Sequence, residues 1–238
     1  MQRKQLVLIL IIATIIGSVL LNPLRPRADV AAAQPAPMAA PQADDAMRFQ
    51  QIAAILKQTE TGQQMLNEIE TDAITVRFVA GAGSTYRLQT NTITLDASME
   101  PLEATVLLAH ELTHARYLHD GRKLRLDTPS RDDYVAGKIQ EEVDAVLASI
   151  TLKLELVRVD SRIAELTIGL ENEYRRACID AGQKLNACRA GEAALLNAFH
   201  SGQARTSNTG QSYVDYYRNN WDDAHPARAF FSNILDNS

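Results

Sequence analysis

His110, Glu111 and His114, in the stretch LLAHELTHARY, form the pattern H-E-x-x-H. On a helix, positions i and i+4 share one face, so both imidazoles can reach a single ion. Glu111 is offset by one position; it is poorly placed as a ligand but can reach a water bound to that ion. Two imidazoles suit Zn2+, which keeps an open position for water and lowers its pKa toward ~7, within reach of a carboxylate base. The competing reading is a pair of core histidines with ordinary hydrogen-bond partners. The surroundings favour the metal. Leu108, Leu112, Ala115 and Leu118 make one apolar stripe, and Leu107, His110, His114 and Tyr117 make a second. A helix apolar on more than one face is buried, and buried imidazoles beside a carboxylate need partners.

A third ligand must come from elsewhere. One family of zinc sites continues as H-E-x-x-H-x-x-G-x-x-H. Here Tyr117 stands at the glycine position and Asp120 at the final histidine. Without the glycine the helix has no place to turn, so Asp120 is a poor candidate. His119, five residues past His114, falls on the wrong face. The better source is the next helix, IQEEVDAVLASI, whose core face is Val135, Ile139, Val143, Val146, Leu147 and Ile150. Glu142 lies at the edge of that face and is the expected ligand. Glu141, which shares a face with Tyr134, Ala145 and Ala148, is the fallback. Ala145 leaves room for close approach of the first helix, and Asp144 is a candidate outer acceptor. The competing reading is a solvated pair of glutamates on an acidic helix.

The elements that position these residues follow from hydrophobic periodicity. Residues 46–69 read as helix, split near Thr61 and Gly62. Residues 74–79 alternate as a strand, 80–84 turn, and 85–88 and 92–95 are two further short strands. Pro101 opens a helix to about His119, a polar loop covers 120–131, and a long helix runs from Asp132 to about Leu156. Two more helices are expected near 160–177 and 187–200, followed by a partly irregular tail bearing Tyr213, Tyr216, Tyr217 and Trp221. The expected fold class is α+β, a small antiparallel sheet packed on a helix-rich body.

With HELTH at 110–114, E-x-x-A at 142–145 on a following helix, and short strands ahead of the motif helix, the sequence resembles the gluzincin class of zinc metallopeptidases, most nearly its small minigluzincin-like bacterial members. The resemblance covers about residues 70–156. It implies that His110, His114 and Glu142 are zinc ligands and Glu111 the general base. It also implies that the strand before the motif helix, 92–95, is the edge that holds an extended peptide by backbone pairing. A Tyr or His that stabilises the oxyanion is implied too; Tyr134 is the first choice, with Tyr213, Tyr216, Tyr217 and His225 as others.

The remainder of the chain bears on location and partners. Arg3 and Lys4 precede a charge-free apolar run of 16 residues, Leu6 to Leu21. Residues 1–24 therefore read as a signal peptide or membrane anchor, 25–45 as an Ala/Pro-rich linker, and 46–238 as the folded domain. The expected location is extracytoplasmic, either membrane-anchored or secreted. The net charge is −5; residues 1–41 hold four basic residues against one acidic, so the rest carries −8. An acidic body argues against nucleic acid as a partner and leaves a peptide or protein substrate. The only two cysteines, Cys178 and Cys188, cannot build a four-thiolate site and are expected to form a disulfide across a short helix connection. Gly81 and Gly83 are expected to form a hairpin turn, not a dinucleotide loop, and no P-loop or G-x-S-x-G is present. The function read from the sequence is zinc-dependent hydrolysis of peptide bonds in the cell envelope. The alternatives are a non-enzymatic envelope protein with a structural zinc site and a metal-free helical interaction module.

Overall fold

The computed structural model describes residues 43–206 and 209–226. The apolar segment 6–21, the linker up to residue 42 and the final 12 residues lie outside the described residues, and with them the signal or anchor assignment. Among the described residues no helix is long and apolar enough to cross a membrane.

The fold is α+β. Its helices are α1 (Ala43–Leu56), α2 (Glu60–Thr71), α3 (Pro101–His119), α4 (Arg131–Leu156), α5 (Glu171–Asp180), α6 (Arg189–His200) and α7 (Tyr213–Ala224). Its strands are β1 (Thr75–Phe78), β2 (Thr85–Arg87) and β3 (Thr92–Leu95). Pro101 pre-sets the first helical φ of α3. At the other end Gly121 adopts φ +67°, and the N–H groups of Arg122 and Lys123 both donate to Tyr117 O. This left-handed turn stops the helix and sends the chain back along it. Ser130 caps α4, its Oγ accepting from Asp133 N at 3.2 Å, with Asp132 and Asp133 in the positive first turn.

α3 and α4 pack along each other at the centre. Leu107, Leu108, Leu112 and Ala115 of α3 and Ile139, Val143, Val146 and Ile150 of α4 are buried. α1 and the β2–β3 hairpin cover α3, while α6 and α7 cover α4. Both central helices are thus walled on more than one side, which is what their weakly one-sided apolar patterns require.

The sheet corrects one expectation. It is mixed, in the order β1-β3-β2, with β1 parallel and β2 antiparallel to β3. The turn between β1 and β2, with Gly81 and Gly83 at φ +68° and +67°, is not the expected hairpin turn, because these strands do not pair; it carries the chain across the end of β3. β3 therefore slots between two strands that precede it. All four of its residues are buried, so it is the central strand and not a free edge. The edge strands are β1 and β2.

Two further departures concern helices. Residues 160–177 are not one helix: Ser161–Glu165 is a 3-10 turn, and α5 starts only at Glu171, after Leu170 adopts φ +64°. The tail is irregular over 201–206 and 209–212, as expected, but its aromatic stretch is a helix. Ser212 caps α7, and Tyr213, Tyr217 and Trp221, spaced by four, form its buried stripe. Cys178 and Cys188 form a disulfide that ties the end of α5 to the start of α6.

Gly62 marks the tightest backbone approach. A Cβ there would lie 2.2 Å from Leu56 O, so α2 can fold back on α1 only with a hydrogen at that position. Gly62→Ala is expected to lower stability by ~1–3 kcal/mol, read as a lower denaturation midpoint; an unchanged midpoint would contradict the packing described for α1 and α2.

Candidate active site

α3 presents His110, Glu111 and His114, and α4 presents Glu141 and Glu142, all five buried. The His110 and His114 rings stand edge to face, with centroids 4.9 Å apart. Glu142 Oε2 lies 3.6 Å from His110 Nε2 and 4.0 Å from His114 Nε2. One ligand atom from each of His110, His114 and Glu142 falls within 4.8 Å of the others. Donors bound ~2.0–2.2 Å from one tetrahedral ion stand ~3.3 Å apart, so a slight contraction fits this set to a metal.

The hydrogen-bond inventory points the same way. His110 Nδ1 and Nε2, His114 Nε2, Glu111 Oε1 and Glu142 Oε2 are buried without a hydrogen-bond partner among the described residues. An unmade hydrogen bond at a buried group costs ~1–3 kcal/mol, more if charged. Several such atoms converging on one point make a receptor for a cation, which satisfies donors that no side chain here reaches. A core histidine pair would instead hydrogen-bond to its neighbours.

The two adjacent glutamates are not equivalent. Glu141 does not join the cluster. Its Oε1 meets His114 Nδ1 at 2.8 Å, and Lys138 Nζ donates to its Oε2. Lys123 Nζ, from the loop after α3, approaches Oε1 at 3.4 Å. Glu142 turns its Oε2 to the imidazoles, while Oε1 accepts a 2.6 Å hydrogen bond from the Tyr217 hydroxyl of α7.

The charges explain the titration. Burial opposes ionisation of Glu142, but His114 and His110 together with the Tyr217 hydroxyl overcome it and hold the carboxyl at about 2. Glu141 is held well below the carboxylate range, as His114, Lys138 and Lys123 outweigh its burial. Burial also disfavours the charged form of His114, yet Glu142 and Glu141 raise its pKa. The raised pKa of His114 marks negative potential at the imidazoles, which favours a positive charge there. Burial pushes the Glu111 carboxyl up, with Glu142 adding to it, against His110, His114 and the Tyr86 N–H.

The cluster is reached from a cleft of about 820 Å³, whose lining includes Glu111, His114, Glu142, Tyr134 and Tyr217. β2 supplies its outer wall through Thr85–Arg87, and the loop after α3 supplies another through Lys123–Asp127. Leu124 pins that loop to α4 at Gly137, where a Cβ would lie 2.2 Å from Leu124 Cδ1. Trp221 Nε1 pins it to α7 by donating to Thr128 O at 3.1 Å.

The other candidates fall elsewhere. Asp120 is an exposed helix cap, and His119 meets Asn91 Oδ1 at 3.3 Å. Asp144 is not an outer partner of the cluster. It accepts from the Tyr117 hydroxyl at 2.6 Å and from Gln140, since its place two residues past Glu142, ~200° round α4, turns it away from the imidazoles. His225 stacks on Trp221 at 4.1 Å, and Tyr213 packs edge to face with Phe199. The sequence reading missed Glu141 as the partner of His114, together with Lys138 and Lys123. The available signal was Lys138 three residues before Glu141 on one helix face.

A family model described as "Putative metallopeptidase family (DUF6782)" matches residues 26–159. That span is more than half of the chain and contains α1–α4 and every member of the His-His-Glu cluster. No curated protein and no solved structure matches the chain.

The depressed carboxyls set an acid limit on the fold. Between about 4.5, the ordinary glutamate value, and about 2, the unfolded chain binds protons that the folded Glu142 refuses, so stability falls as pH falls through that window. Glu141 acts in the same direction. With chelator present, denaturation midpoints should decline over this range, and Glu142→Gln should flatten the decline. A flat profile for the parent chain would contradict the charge assignment.

Proposed function

The chain belongs to this metallopeptidase family, and from that premise we propose that it is a zinc-dependent hydrolase of peptide bonds, with His110, His114 and Glu142 as ligands and Glu111 as the general base. The observation that carries the reading is the convergence of unpartnered, buried donor atoms from these three ligand residues beside an unpartnered Glu111 oxygen. Two imidazoles and one carboxylate are a donor set suited to zinc. When bound, the ion supplies Lewis acidity, polarising the scissile carbonyl and making water acidic enough to deprotonate near pH 7.

The chain's own residues do the rest. Glu111 Oε1 takes the proton of the attacking water and then delivers it to the leaving amine nitrogen. A pKa raised by burial suits both halves of that transfer, because the carboxyl holds the proton long enough to return it. Glu141 fixes the ring of His114 through Nδ1 and leaves Nε2 facing the cluster. Tyr134, in the cleft wall, has its pKa pushed up to about 12 by burial, so its hydroxyl keeps a proton to donate to the developing oxyanion. The edge role expected of β3 passes in this reading to β2, the edge strand that borders the cleft and would pair with the backbone of an extended peptide.

The cluster opens onto a cleft of substrate size, where a purely structural ion would be enclosed by four protein ligands. A base beside the ion has no use in such a site. The same proposal places the enzyme beyond the cytoplasmic membrane. Support comes from the basic-then-apolar pattern of residues 3–21 and from the disulfide, which suits an oxidising compartment.

Glu111→Gln should retain one equivalent of zinc and lose about 10²–10⁴-fold in hydrolysis of casein-like substrates; full activity with zinc retained would remove Glu111 from its role. Glu142→Ala should abolish stoichiometric zinc, whereas Glu141→Ala should weaken affinity about 10–100-fold. The opposite ranking in a chelator competition would move the ligand to Glu141.

A further inference from the structure

Glu142 has two oxygens, and the structure commits them differently. Oε2 is buried, unpartnered and aimed between the two imidazoles. Oε1 accepts the Tyr217 hydroxyl at 2.6 Å, a contact that spans 75 positions of the chain. Tyr217 is itself fixed. It is 1% exposed, and its ring meets Tyr134 at 6.3 Å, Tyr216 at 5.2 Å and Tyr213 at 6.1 Å, with the Lys138 ammonium 5.4 Å from the ring centre. A ring so confined has one place to put its hydroxyl.

We propose that Tyr217 is a positioning residue: by occupying Glu142 Oε1 it restricts that carboxylate to one-oxygen ligation through Oε2, so that α7, which lies wholly outside the family-matched residues 26–159, completes the metal site. A buried carboxylate free to rotate can offer both oxygens and crowd the position that water and substrate need. A phenol donor on one oxygen removes that option and fixes the angle of the other. The role differs from oxyanion stabilisation, which would leave ligand geometry unchanged in the ground state. α7 also holds the cleft wall through Trp221 and Thr128, so one helix fixes both the ligand and the loop facing it.

The inference rests on Glu142 being a ligand, and the test separates the two claims. Tyr217→Phe keeps the ring and removes only the hydroxyl. In the full chain, affinity for Zn2+ should fall about 10–100-fold by chelator competition. The visible spectrum of the Co2+-substituted protein should change as Glu142 Oε1 becomes free to bind. Tyr174→Phe, which removes a phenol hydrogen bond to Leu185 O outside the cluster, should leave both readings as in the parent. If Tyr217→Phe leaves zinc affinity and the Co2+ spectrum unchanged, the positioning role is overturned while the metal site stands. If the parent binds no metal, both claims fail. Should Tyr217→Phe not fold, the zinc-loaded parent decides: a slowly exchanging, downfield Tyr217 hydroxyl proton in its NMR spectrum supports the proposal, and its absence overturns it.

Discussion

Two neighbouring carboxylates on α4 meet two imidazoles one turn apart on α3, and the structure is organised around keeping that meeting buried and fixed in angle. Glu141 takes the far nitrogen of His114 and is steadied by Lys138 and Lys123. Glu142 takes the near side, with Tyr217 behind it. Neither arrangement survives in water, where a surface ion pair yields ~0–1 kcal/mol. Burial makes the partners matter, because a charge without a partner is costly there. The core formed by Leu108, Leu112, Ile139, Val143 and Ile150 therefore does more than hold two helices together. It sets the dielectric in which five polar side chains must find a common solution.

The remaining elements serve that interface. Gly121 ends α3 and turns the chain so that Lys123 reaches Glu141 and Leu124 seats on Gly137. β2 reaches the site from the other side, where the Tyr86 N–H faces the Glu111 carboxyl. The family match ends at residue 159, yet α6, tied to α5 by the disulfide, packs on both α7 and α4. The part of the chain that carries the motif is thus not the whole of the site, since one side chain at the cluster arrives from beyond it.

Much of this was legible beforehand. The His-Glu motif was readable because its spacing is set within one helix, and the burial of α3 because two apolar stripes cannot both face solvent. A split in the first helical stretch was readable, though it falls at residues 57–59 and not at Thr61 and Gly62, and so was the stop after His119. The sheet was misread because sequence order suggested that consecutive strands pair, whereas the wide turn at residues 80–84 lets β3 insert between β1 and β2. The tail was underrated because its residues look polar overall. Its stripe of Tyr213, Tyr217 and Trp221 acquires meaning only against α4.

By itself the amino-acid order determined that two imidazoles and a carboxylate share a short stretch of buried helix, since ~3.6 residues per turn is a property of the backbone alone. It also determined a mostly helical body with a few short strands. It did not decide which of Glu141 and Glu142 faces the imidazoles. Adjacent helical positions differ by ~100° about the axis, and the rotation of α4 against α3 is set by the packing of every neighbour at once. The place of Tyr217 beside Glu142 was undecided for the same reason: a contact across 75 positions exists only after the helices between have docked.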